Sequence, residues 1–179
     1  MLRQLGVRFA CLPADVDETP RPGQPAADYA LAVAAAKAAA AARAAPLQRP
    51  VLGADTDVVV DGRILGKPRD RGDALAMLAA LAGRTHQVVS AVVLQHGARV
   101  ESALTVTEVC FGAISAAEAS AYWDSGEPAD KAGAYAIQGR AARWVRSING
   151  SYTGVVGLPL YETCALLARF AVPTDMLAA

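Results

Sequence analysis

The sequence has few of the residues that build metal cages and covalent frameworks. Its 179 residues include three cysteines, Cys11, Cys110 and Cys164, far apart and without a CxxC spacing. That spacing spells neither a zinc knuckle nor a disulfide scaffold, and the expected compartment is the reducing cytoplasm. There are only two histidines, His86 and His96, on different expected elements and without a third ligand type, so they read as surface or strand-end residues. A surplus of one charge is missing too. Seventeen basic residues balance seventeen acidic ones, which argues against broad nucleic-acid binding and leaves room for a small anionic ligand met by a local cluster. The most apolar long stretch, residues 30–45, is alanine interrupted by Lys37 and Arg43, so it is no membrane span. The first ten residues lack the apolar core of a signal peptide.

What is present is hydrophobic content of 54% against 19% charged. That composition belongs to a folded chain, long enough for one domain or one domain of two lobes.

Residues 51–68, VLGADTDVVVDGRILGKP, organise the rest. A short apolar run, Val51-Leu52, meets Gly53-Ala54 and ends at Asp55. A second run, Val58 to Val60, stops at Asp61-Gly62, a two-residue hairpin signal because both turn positions need φ > 0. Ile64-Leu65 returns, and Gly66-Lys67-Pro68 closes the unit. Asp55 is thus expected at a strand end with Lys67 brought back near it, a carboxylate and a cation suited to phosphate chemistry. The same residues also fit a turn aspartate and a solvated lysine.

Along the chain, residues 1–6 look like the last turns of a helix with Gly6 past its end, and residues 7–11 can form a strand. Asp15, Asp17 and Glu18 crowd a loop before Pro20, Pro22 and Pro25, which fits a solvated turn or metal binding. Pro25 opens a helix to about Ala45, on which Lys37 is a solubilising residue unless the fold aims it at a phosphate. Asp70 caps a helix over 71–81 with Gly83 beyond it. Two long strands, 88–94 and 100–111, join around His96-Gly97. Ser115 with Glu118 forms a capping box for a helix through Trp123 that Gly126 ends. Residues 130–139, DKAGAYAIQG, form a small-residue stretch that allows close ligand approach and holds the amide of Gln138 before Gly139. A strand over 144–148, a turn at Asn149-Gly150, an extended segment over 151–157 and a helix over 160–170 complete the chain. The pattern reads as α/β or α+β with a mixed sheet.

Six segments in order, DVDETPRPG at 15–23, LGADT at 52–56, GRILGKP at 62–68, GRTHQV at 83–88, KAGAYAIQG at 131–139 and GSYTGVVGLPLYET at 150–163, closely resemble the Maf-like family over nearly the whole chain. The resemblance implies an α/β fold with a long mixed sheet flanked by helices and two lobes around a cleft, similar to inosine triphosphatases. It implies a nucleotide pyrophosphatase that converts a nucleoside triphosphate and water to the monophosphate and pyrophosphate with a divalent metal, Mg²⁺ or Mn²⁺, in a family associated with removal of non-standard nucleotides and with septum formation. By position, Asp55 is the implied proton acceptor, Thr56 and Gln138 the implied determinants of substrate choice, Glu18 and Asp55 metal contacts, and Lys37 and Lys67 phosphate contacts. GADT with IQG resembles the dTTP/UTP-hydrolysing branch. A sister branch acts on 7-methyl-GTP, and a non-catalytic nucleotide-binding regulator is the alternative of another class. The implied partner is the nucleotide, with no nucleic acid and no membrane, and a homodimer left open. Two departures stand out. Asp57 occupies a position often apolar in that branch and reads as an exposed strand residue. The family opens with a strand and a loop of the type SxSPRR, whereas residues 1–5 match the helix after that loop. The expectation is therefore one Maf-like domain over residues 1–179 without its first strand and phosphate loop.

Overall fold

The computed structural model describes residues 1–21, 23–44 and 49–174. Pro22 and Ala45, the latter the expected helix end, lie outside them. The chain divides into two compact units, one comprising Met1–Asp55, Ser90–Leu104 and Gly157–Ala179, the other Thr56–Val89 and Thr105–Val156. Among the described residues five strands form one sheet in the order β2-β1-β3-β4-β5: β1 (Val51–Val60), β2 (Arg63–Leu65), β3 (Thr85–His96), β4 (Arg99–Phe111) and β5 (Val145–Asn149). Helices α1 (Ala26–Ala44), α2 (Arg71–Leu81), α3 (Ala116–Asp124), α4 (Tyr152–Val156) and α5 (Leu160–Arg169) accompany them, giving the expected α/β fold.

In the first unit, α1 buries Ala30, Val33, Ala34, Ala38 and Ala41, a stripe recurring every three or four residues as one helix face requires. Val92 and Leu94 of β3 pack with Leu158, Leu166 and Leu167, and Leu2, Leu5, Leu52 and Phe170 close around them. Leu2–Leu5 is a single 3₁₀ turn, ended by Gly6 at φ 68°. Residues 7–11 are not a strand. Phe9, Ala10 and Cys11 are exposed there, and no strand is assigned to the segment.

In the second unit the hairpin forms as the sequence predicts. Asp61 and Gly62 take φ of 52° and 73°, and β1 pairs antiparallel with β2 from Val58↔Leu65 to Val60↔Arg63. The Asp70 side chain accepts from the Asp73 backbone N–H to start α2, and Ser115 and Glu118 form the reciprocal capping box of α3. α2 packs on α3, above a core that includes Val58, Leu78, Leu81, Val109, Phe111, Tyr135 and Trp144. Two expectations fail. The segment expected to be extended over 151–157 is instead the short helix α4, begun by Ser151, whose hydroxyl accepts from the Gly154 N–H at 3.0 Å. Asp57, expected on an exposed strand position, is only 6% exposed.

Candidate active site

β1 carries the central carboxylate, and it does so in mid-strand. The two apolar runs are one continuous ten-residue strand, so Asp55 is not at a strand end as expected. Gly53 explains both the continuity and the site. A Cβ on Gly53 would lie 2.6 Å from the Ala38 backbone nitrogen and still nearer the Ala34 carbonyl oxygen. A glycine in a strand interior marks such a close backbone approach. The missing side chain therefore lets α1 settle onto β1, and it sets Lys37, next to Ala38, beside Asp55.

Lys37 Nζ lies 2.7 Å from Asp55 Oδ1 and 2.7 Å from Glu18 Oε1. Glu18 is delivered by the acidic loop, which is tied down twice. The Tyr29 hydroxyl of α1 donates to the Glu18 carbonyl at 2.6 Å, and the Asp17 carboxylate accepts from the Thr19 N–H at 2.9 Å. The three side chains grade from interior to solvent, with exposures of 11% for Asp55, 24% for Lys37 and 43% for Glu18. Burial pushes the Lys37 ammonium toward losing its proton, but the hydrogen bonds and charges of Asp55 and Glu18 outweigh it, and its pKa rises above the ordinary lysine value. Lys37 is thus a fixed cation between two carboxylates and not merely a solubilising residue.

Two hard oxygen donors converging on one positive charge also suit a divalent cation such as Mg²⁺, which takes one or two carboxylates and completes its shell with water and phosphate oxygens. Among the described residues no group of three or more His, Cys, Asp or Glu could hold a metal. Glu18 and Asp55 are two carboxylates that converge on Lys37, fewer than such a group.

The other residues singled out in the sequence belong to the second unit. Thr56 is half-buried in β1; Lys67 and Gln138 are exposed. Lys67 and the 131–139 stretch are brought together, because the Gly133 N–H donates to the Gly66 carbonyl at 3.0 Å. Gly133 sits at φ 66° with Val58 2.8 Å from where a Cβ would be, so the small residues in that stretch allow contact with β1 as well. Gln138 stands in the turn closed by the Gly139 N–H donating to the Ala136 carbonyl at 3.0 Å.

Sequence reasoning missed the groups that support this turn. The Ala136 N–H donates to the Tyr122 hydroxyl at 3.0 Å, and the Arg140 N–H donates to both Glu127 oxygens at 2.9 and 3.1 Å. Tyr122 in turn donates to Glu127 Oε1 at 2.7 Å. The available signal was Gly126-Glu127-Pro128, an acid between a residue free to take positive φ and one that fixes φ, just after α3. His86, expected at the surface or at a strand end, stands at the start of β3 and is interior. It is 2% exposed, its Nε2 is 2.8 Å from the Tyr135 hydroxyl, and burial lowers its pKa to about 4. His96 does lie exposed at the end of β3.

The chain is similar to proteins named dTTP/UTP pyrophosphatase from three bacteria. One from Saccharophagus degradans is 51% identical over 176 residues, 97% of this chain and 84% of its own length. One from Nitrosomonas europaea is 51% identical over 185 aligned residues, covering 96% and 89%. One from Aromatoleum aromaticum is 47% identical over 186, covering 97% and 90%. The sequence profile of Maf-like proteins matches residues 1–170, nearly the whole described chain and all of the site residues named above, and the chain belongs to that family.

Proposed function

We propose that the protein is a dTTP/UTP pyrophosphatase, hydrolysing the nucleoside triphosphate to its monophosphate and pyrophosphate. The observation that carries this reading is the meeting of Glu18, Lys37 and Asp55 at 2.7 Å contacts within one unit, and the names of relatives about half identical to the chain support it. In the proposed reaction water attacks the α-phosphorus, a new P–O bond forms, and the bridging P–O bond breaks with its electron pair leaving on pyrophosphate. Asp55 takes the proton from the attacking water as general base. Lys37 and Lys67 supply fixed positive charge to the phosphates. A divalent cation held by Glu18 and Asp55 would add charge neutralisation on the phosphate oxygens. Thr56 and Gln138 determine substrate choice. The Gln138 amide accepts from the N3–H of uracil or thymine and donates to a ring carbonyl. Cytosine lacks that N3–H, so an amide held in this orientation is left with its oxygen unpaired, a penalty of roughly 1–3 kcal/mol in a desolvated contact. The cytoplasm, where free nucleotides are abundant, is the proposed compartment; no helix among the described residues is long and apolar enough to cross a membrane.

A panel of nucleoside triphosphates with Mg²⁺ or Mn²⁺, assayed for pyrophosphate release, tests the proposal. UTP and dTTP should be turned over best, and Asp55→Asn should lower kcat by about 10²–10⁴-fold, the range for loss of a general base. Orthophosphate as the direct product, or 7-methyl-GTP as the best substrate, would refute it. Nucleotide binding without turnover, insensitive to Asp55→Asn, would instead mark a regulatory binding protein.

A further inference from the structure

We infer that Tyr122 and Glu127 are positioning residues for base selection, clamping the backbone on both sides of Gln138 so that its amide is presented in one place. The inference rests on the reading that Gln138 meets the base.

Gln138 itself is exposed on a turn, and an exposed amide on a free turn would lose much of its selectivity to motion. Recognition by a single side chain needs supporting groups that hold its backbone. The turn over residues 136–139 has such support at each end. Before Gln138, the Ala136 N–H is bound by the Tyr122 hydroxyl at 3.0 Å. After it, the Arg140 N–H is bound by both Glu127 oxygens at 2.9 and 3.1 Å. The two supports are one object, because Tyr122 donates to Glu127 Oε1 at 2.7 Å.

Each part of the clamp is itself fixed. Tyr122 is 4% exposed, with its ring edge-on to Trp144 at 5.1 Å between centroids. Glu127 follows Gly126 at φ 77° and precedes the buried Pro128. Burial works against the Glu127 charge, but the bonds from Tyr122, Arg140 and Ala141 hold its carboxyl below the usual range, so it is ionised and a strong acceptor at neutral pH. Gly139 completes the fit: a Cβ there would fall on the Glu127 carboxylate, so the glycine after Gln138 is what allows the acid to reach the Arg140 N–H.

The test compares UTP with CTP in the wild-type protein and in Glu127→Ala, Glu127→Gln, Tyr122→Phe and Gln138→Ala, with amide hydrogen exchange at Arg140 and Ala136 as a second readout. In Glu127→Ala the UTP/CTP ratio of kcat/KM should fall roughly 2- to 12-fold, the scale of one oriented hydrogen bond, through a higher KM for UTP, with faster exchange at Arg140. Glu127→Gln, which keeps one acceptor oxygen, should recover part of the ratio. Tyr122→Phe should lower it less and release Ala136. A ratio that stays at the wild-type value in Glu127→Gln and Tyr122→Phe, while exchange at Arg140 and Ala136 accelerates, overturns the inference, and these two variants carry the test if Glu127→Ala does not fold. Gln138→Ala separates the two readings. If it leaves the ratio unchanged, Gln138 is not the base reader; if it collapses the ratio while the clamp variants do not, only the clamp fails.

Discussion

Replacing Lys37 with methionine would keep most of the stem and remove the ammonium that holds two carboxylates together. Both oxygens lie 2.7 Å from the same nitrogen, so they are no more than twice that distance apart. Two unit charges about 5 Å apart repel by roughly 3 kcal/mol at an effective dielectric of 20. Glu18, at 43% exposure, can turn toward water and shed part of that repulsion; Asp55, at 11%, cannot. A loss of about 1–2 kcal/mol at pH 7 follows, between the values for surface and buried pairs. Urea unfolding of the protein free of metal and nucleotide should show a midpoint lower by about 0.5–1 M, for a slope near 2 kcal/mol/M. The pH dependence has a definite sign. The folded-state pKa of Lys37 is raised above 10.5, so its contribution is complete below that value and fades only as pH climbs through the higher folded one. At the acid end, protonation of the carboxylates removes the repulsion and the gap between variant and wild type should close. Equal midpoints at pH 7, or a gap that widens in acid, would refute the reasoning.

Three further outcomes can be checked. Gly53→Ala should cost about 1–3 kcal/mol by forcing α1 away from β1, as overpacking does, and thermal unfolding together with loss of turnover would show both effects. His86 is neutral in the fold with a pKa of about 4 against an ordinary 6.5; the unfolded chain therefore binds the extra proton first, and stability should fall as pH drops from about 6.5 to 4, by roughly 3 kcal/mol. In His86→Phe that part of the slope should vanish, and an unchanged slope in urea titrations across this range would assign the dependence to other groups. Chelation of divalent cations should abolish pyrophosphate release, with recovery on adding Mg²⁺ or Mn²⁺; turnover that persists in excess chelator contradicts a metal at Glu18 and Asp55.

Much of this was legible where the signal is local. The Asp61-Gly62 hairpin, the Asp70 cap and the Ser115–Glu118 box depend on residues within a few positions of each other, and all three form as written. What was not legible depends on partners distant in the chain. Gly53 looks like a strand break until α1 is known to lie against it. Lys37 looks solvated until Asp55, 18 residues away, is beside it. His86 gives no sign of burial, because its partner Tyr135 is 49 positions on. Ser151 begins a helix through a hydroxyl that accepts from Gly154, a pattern that a strand-like run of Val155-Val156 hid. The residues implied by family resemblance fall into two sets by unit, Glu18, Lys37 and Asp55 in one and Thr56, Lys67 and Gln138 in the other.

The alanine face of α1 has a further consequence for how the protein tolerates change. Ala30, Ala34, Ala38 and Ala41 are already the smallest residues with a Cβ, and Gly53, opposite Ala34 and Ala38, has none at all. Such a seam can be altered only in one direction. Trimming an alanine to glycine weakens the helix by about 1 kcal/mol and leaves the spacing intact, whereas valine or leucine at Ala34 or Ala38 has nowhere to go except by lifting the helix, and Lys37 with it, off the strand. In a saturation scan these positions should therefore accept loss of atoms and reject gain, the reverse of an ordinary leucine core, with the ammonium-to-carboxylate distances acting as the ruler that registers each added methyl group.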